Sequence, residues 1–167
     1  MHLDEKDRLI IANQLKILEK LYPEEAEYYA HHRKAVEEGY SLHYSWLVEH
    51  FYDEMSEDEC KEVLDILDMF RAITFSLNKL NDTSRLDVPR LKFRGFDGNH
   101  ETRQFSYTQY FISDLGRYEE LKYGAESGYF NSHAPMIDAY REMLKRWRDN
   151  GKSFEMSKSE LAALIES

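Results

Sequence analysis

The stretch SEDECKEVLDILDMFRAITFSLNKL, Ser56–Leu80, decides the fold. Ser56 followed three residues later by Glu59 is the pattern of a capping box, in which each side chain satisfies the other's backbone amide at a helix start. Beyond it, Val63, Leu64, Ile66, Leu67, Met69, Phe70, Ile73, Phe75, Leu77 and Leu80 cover nearly the whole circumference of a helix. Only a seam of Asp65, Asp68 and Arg71 interrupts them. A helix that apolar belongs at the centre of a core. Asp68 and Arg71 stand one turn apart and are expected to pair with each other as an i,i+3 ion pair.

Upstream, Asp4 is placed as an N-cap, and Ile11, Leu15, Leu18 and Tyr22 recur at helical spacing, with Ile10, Ile17 and Leu21 widening the stripe. Pro23 fits the first turn of a second helix, Glu24, Glu25 and Glu27 favour its positive end, and Gly39 stops it. These signals together describe a helical hairpin. Ser41–Phe51 reads as a short helix.

Downstream, Asn81–Pro89 is polar and turn-prone and reads as a joint between two lobes, residues 1–80 and 81–167. Leu91–Phe96 alternates apolar and basic residues, which suits one short extended segment. A helix is expected from Asn99 to Tyr118 with Phe105, Phe111, Ile112 and Leu115 inward, then a glycine-punctuated loop over Tyr123–His133. Ser132 is placed to cap a helix carrying Met136, Tyr140, Met143, Leu144 and Trp147, and Ser157 with Glu160 writes another capping box before Lys158–Glu166. The expected class is all-α: an N-terminal hairpin and a second multi-helical lobe joined by a long central helix, with at most one short extended segment.

Composition narrows the function classes. The 167 residues are 42% hydrophobic and 32% charged, with 7 Gly and 3 Pro, which is a folding composition. The single Cys60 cannot form an internal disulfide, Met1–Arg8 is studded with Asp and Lys, and no run reaches the roughly 18 uncharged apolar residues of a membrane span. A cytoplasmic protein with no membrane segment is expected. Residues 1–68 hold 18 Asp/Glu against 7 Lys/Arg, whereas residues 69–167 hold 14 against 15, so the net charge of -10 lies in the first part of the chain. Such a surface repels phosphate backbones. Residues 44–73 could imitate a helix-turn-helix, but Glu57, Asp58 and Glu59 would face the phosphates, so DNA binding is not expected.

Arg8-Leu9-Ile10-Ile11-Ala12-Asn13-Gln14, Gly39-Tyr40, Leu64-Asp65-Ile66-Leu67-Asp68-Met69-Phe70, Phe93-Arg94-Gly95-Phe96-Asp97, Gly116-Arg117-Tyr118 and Phe130-Asn131, taken in order, resemble the bacterial YfbU family. The likeness extends to Pro135-Met136 and the Tyr140 to Trp147 helix and so covers nearly the whole chain. It implies a helical fold with an N-terminal hairpin and a second helical lobe, in a bacterial cytosolic protein that self-associates. The family carries no established activity, so no catalytic residue transfers.

Read from the residues alone, the polar groups in or beside the glycine-containing loops are the candidate chemistry: Asp97, His100, Glu101, Ser132 and His133 as acid, base or nucleophile, with Arg94, Arg117 and Asn131 as ligand-binding groups. Helix capping and turn formation explain Asp97, Glu101, Ser132 and Asn131 equally. The histidines, including His31-His32, His43 and His50, show no metal-ligand spacing, and neither a metal nor a cofactor is expected. Arg85, Arg90, Lys92, Arg94 and Arg103 form a basic strip interleaved with Phe93, Phe96 and Phe105, a composition that could stack on RNA or dock against an acidic surface. Ten aromatics between Phe93 and Phe130 suit an interface as well as a core. The first reading is a non-enzymatic, homo-oligomeric protein-binding or regulatory protein. An enzyme acting on a small molecule or nucleotide at the Phe93–Glu101 and Tyr129–His133 loops is the alternative, and RNA binding through Arg85–Arg103 a third.

Overall fold

A computed structural model describes residues 1–123 and 129–166. The middle of the expected Tyr123–His133 loop lies outside the described residues. The chain is all-α, and among the described residues the only bridge outside helices is an isolated parallel one between Phe96 and Asn131. It divides into two compact units, Met1–Glu54 and Met55–Ser167, so the Ser56–Leu80 helix groups with the residues C-terminal to it, whereas the sequence reading set the joint after Leu80.

In the first unit, α1 (Glu5–Leu21) opens on a capping box in which Asp4 accepts from the Asp7 amide at 2.8 Å and Asp7 accepts from that of Asp4 at 3.2 Å. A 3-10 turn at Pro23–Glu25 leads into α2 (Ala26–Glu38), which ends at Gly39 with φ 77°. The hairpin is pinned by Arg8, whose guanidinium donates to the Val36 and Glu37 carbonyls at 2.8 and 2.7 Å, and by Arg33 paired with Glu19 at 2.5 Å. Ser41–Val48 is a 3-10 helix. The buried apolar cluster here is small: Ala12, Leu15 and Val36, with Ile11, Tyr29 and Leu47 partly covered. The expected stripe residues Ile10, Ile17 and Leu21 are exposed.

The second unit forms around α3 (Glu57–Lys79), which begins as its sequence requires: the Glu59 amide donates to Ser56 Oγ and the Ser56 amide to the Glu59 carboxylate. Val63, Ile66, Leu67, Met69, Phe70 and Ile73 are fully buried, although Phe75, assigned to the same face, is 41% exposed. Around them pack α4 (Thr102–Gln109), α5 (Ile137–Asp149) and α6 (Lys158–Leu164), together with a 3-10 helix at Val88–Leu91. The rings of Phe70, Phe93, Phe96 and Tyr140 meet at centroid separations of 4.9 to 5.8 Å, several edge to face, the geometry in which aromatic pairs attract.

The polar seam of α3 is used differently from the expectation. Asp68 accepts from the Tyr118 hydroxyl at 2.6 Å, and Arg71 pairs with Glu120 while its guanidinium lies 3.8 Å from the Tyr118 ring centroid. Asp65 pairs with Arg148. Groups from outside the helix thus replace the Asp68–Arg71 pair. The expected helix to Tyr118 also changes character: after Gln109 a π turn over Tyr110–Asp114 brings the Leu115 amide to the Tyr110 carbonyl at 3.0 Å. One extra residue in that turn rotates the positions after it, and Leu115, expected inward, is 46% exposed.

At α6, Glu160 accepts from the Ser157 hydroxyl and amide and from Asn150, and these bonds hold its carboxyl down from 4.5 to about 2. A lowered folded value stabilises the fold above the unfolded value and is lost as acid protonates the group. Stability should therefore fall between pH 4.5 and about 2, and Glu160→Gln should flatten that part of the profile in urea titrations across the range.

Candidate functional site

The two loops singled out in the sequence meet. The Phe96 amide donates to the Phe130 carbonyl at 3.0 Å and the Ser132 amide to the Phe96 carbonyl at 3.1 Å. Gly95 makes this approach possible: its φ is +88°, and a Cβ there would stand 1.8 Å from the Phe130 oxygen. Tyr140, buried on α5, braces the same point by donating to the Gly95 carbonyl at 3.1 Å and accepting from the Arg94 amide at 3.2 Å.

Each candidate side chain has a definite place. Glu101 is 6% exposed, and its carboxylate accepts three backbone amides: Asp97 at 2.8 Å, and both Met136 and Ile137 at 2.7 Å. It thus occupies the N-terminal amides of α5, the position the sequence assigned to Ser132. Ser132 caps no helix; its hydroxyl donates to the Ala134 carbonyl at 2.7 Å. Asn131 Oδ1 accepts from Gly98 at 3.2 Å and His133 at 3.0 Å, tying the loops together. Asp97 caps the local turn by accepting from the Asn99 amide at 3.0 Å, and its other oxygen lies 2.5 Å from His100 Nδ1. The Asn99 amide, then His100, hold its carboxyl below the usual carboxylate range.

This arrangement can orient a histidine but, among the described residues, offers it nothing to activate. His100 is largely exposed with its ring held by a buried carboxylate, the relation of a base to its orienting group. Among the described residues no serine, threonine or cysteine hydrogen-bonds to it, and Ser132 is turned to its own loop. His133 stands exposed at φ 54°. Beside the loops lies a surface cavity of about 390 Å³ lined by Arg94, Lys122, Tyr129, Asn131 and His133 among others. Arg94 reaches the Ser132 carbonyl at 3.4 Å, whereas Arg117 is exposed after the π turn. No group of three or more His, Cys, Asp or Glu among the described residues could hold a metal ion.

The basic strip is split. Arg103 pairs with Glu59 at 3.2 Å, and Phe93 and Phe96 are buried in the core, where no base can stack on them. The sequence did not show that Arg146, on α5, faces the same cavity as Arg90, Lys92 and Arg94. Their alternation in the strip was visible; their neighbour 52 residues beyond Arg94 was not. No helix among the described residues is long and apolar enough to cross a membrane.

Comparison with known proteins agrees with the fold and its sequence signature. The chain is 34% identical over 167 positions to the UPF0304 protein MJECS11 of Methanocaldococcus jannaschii, the alignment covering 98% of each. The YfbU domain matches residues 1–167. With its ordered signature segments set on an all-helical frame, this chain belongs to the YfbU family.

Proposed function

We propose that the protein acts by association, as a non-enzymatic homo-oligomer whose N-terminal helices pair between copies. One observation carries the reading. On α1, Ile10, Ile17 and Leu21 are 46%, 58% and 65% exposed, on the side away from buried Ala12 and Leu15. At about 100° per residue, Ile10, Ile17 and Leu21 fall within about 40° of arc and form one stripe. An uncovered apolar stripe of this kind marks a contact surface.

A second copy of α1 fits that surface with its own stripe. Two such helices crossing antiparallel about a two-fold axis set stripe against stripe, the self-complementary arrangement of an isologous dimer. The enzymatic alternative is the weaker, because Glu101, Ser132 and Asn131 are engaged with backbone groups and, among the described residues, no hydroxyl or thiol hydrogen-bonds to His100.

Light scattering on the full chain at micromolar concentration should give a dimer or larger species. Ile10→Glu with Ile17→Glu should return the monomer with its helical circular dichroism intact, since both side chains are exposed and contribute little to the fold. A strictly monomeric wild-type chain overturns the reading.

A further inference from the structure

The geometry points to a binding site for small organic phosphomonoesters in the cavity between the Arg90–Arg94 strip, α5 and the end of α6. The inference stands independently of pairing through α1. The cavity has a volume of about 520 Å³, within the range of ligand sites. Leu91 and Phe93 are buried in the core, and Arg90, Lys92 and Arg94 on either side of them are exposed. They line the cavity, and Arg146 joins them from α5.

These four cations differ from their neighbours in how they are partnered. On the same helix α5, Arg141 is paired with Glu62 at 2.8 Å and Arg148 with Asp65. Arg90, Lys92, Arg94 and Arg146 form no ion pair among the described residues. Arg146 donates to the Leu164 carbonyl at 2.9 Å and Arg94 to that of Ser132, while the Lys92 ammonium lies 5.1 Å from the Tyr123 ring centroid. Cations gathered around one concavity repel each other and favour an anion between them. Arginines supply the fork of donors that matches phosphate oxygens.

Two further features define the ligand. Glu142 and Glu166 also line the cavity, leaving a surplus of two positive charges, which a phosphomonoester dianion matches and a polyanion exceeds. The remaining surface is apolar, supplied by Met136, Ala139, Met143, Leu164 and Ile165, and calls for a ring or chain attached to the phosphate. A nucleic acid is the poorer fit, because Phe93 and Phe96 are buried and present no ring for a base to stack on.

Calorimetry on the full chain at low salt, with phenyl phosphate, naphthyl phosphate and AMP as probes, tests this. At least one should bind, inorganic phosphate should bind at least about tenfold more weakly, and neutral phenol should not bind. Arg90→Gln with Lys92→Gln should weaken the bound ester by at least about tenfold. Ala139→Phe, a change at an exposed position that fills the cavity, should abolish binding, and both variants should keep the wild-type melting temperature. The inference is overturned if none of the three esters binds, if inorganic phosphate binds as well as they do, if the variants leave binding unchanged, or if a single-stranded RNA displaces them with a steep salt dependence.

Discussion

Gly95→Ala is expected to destabilise the protein by more than about 4 kcal/mol and to give little soluble material. The methyl group would meet the Phe130 carbonyl oxygen at 1.8 Å and its carbon at 2.1 Å. Both are backbone atoms with no rotamer to yield, and the same carbonyl accepts the Phe96 amide. Relief would require parting the two loops and exposing Phe96 and Phe130, which are 0% and 4% exposed. Gly116→Ala separates clash from strain: Gly116 also has positive φ, at 62°, but nothing lies within 4 Å of its Cβ position. Its cost should be only the roughly 1–2 kcal/mol of a left-handed alanine. Comparable losses in thermal denaturation of the two variants would refute the steric account.

Glu101→Ala should be the next most damaging change at the loops, by about 3–5 kcal/mol, because it strands the amides of Asp97, Met136 and Ile137 away from water. Glu101→Gln should cost about half as much. Its amide oxygen can still accept from Met136 and Ile137, but its NH2 then faces the Asp97 amide, donor against donor. His100→Ala should change stability by less than about 1 kcal/mol, since that side chain is 72% exposed. Urea titrations rank the three. A Glu101→Ala protein as stable as wild type would remove the tether from the account of this fold.

What could be read from the sequence was what is local. The Ser56–Glu59 and Ser157–Glu160 boxes, Asp4 as a cap and Gly39 as a stop all act within a few residues of themselves, and each helix begins or ends accordingly. The misreadings share a different cause. Ser132 was well spaced to cap α5, yet Glu101, 35 residues from Met136, takes those amides. Asp68 and Arg71 were well spaced to pair, but such a pair is worth only a few tenths of a kcal/mol, and Tyr118 and Glu120 offer better partners. Leu115 followed a 3.6-residue period that the π turn interrupts. At the loops the sequence named the right residues, Glu101 and Asn131 among them, without revealing that their acceptor atoms hold backbone. The cavity beside the strip needed Arg146, which only folding brings to Arg90, Lys92 and Arg94.

The slender cluster of Ala12, Leu15 and Val36 bears on how this chain opens from moment to moment. Amide protons in α1 and α2 are guarded by a few side chains, whereas those at the middle of α3 lie under a core that runs from Val63 to Ile165. Opening free energy should therefore be graded along the chain, with exchange expected to be faster in its N-terminal third than where Ile66, Met69 and Phe70 are held.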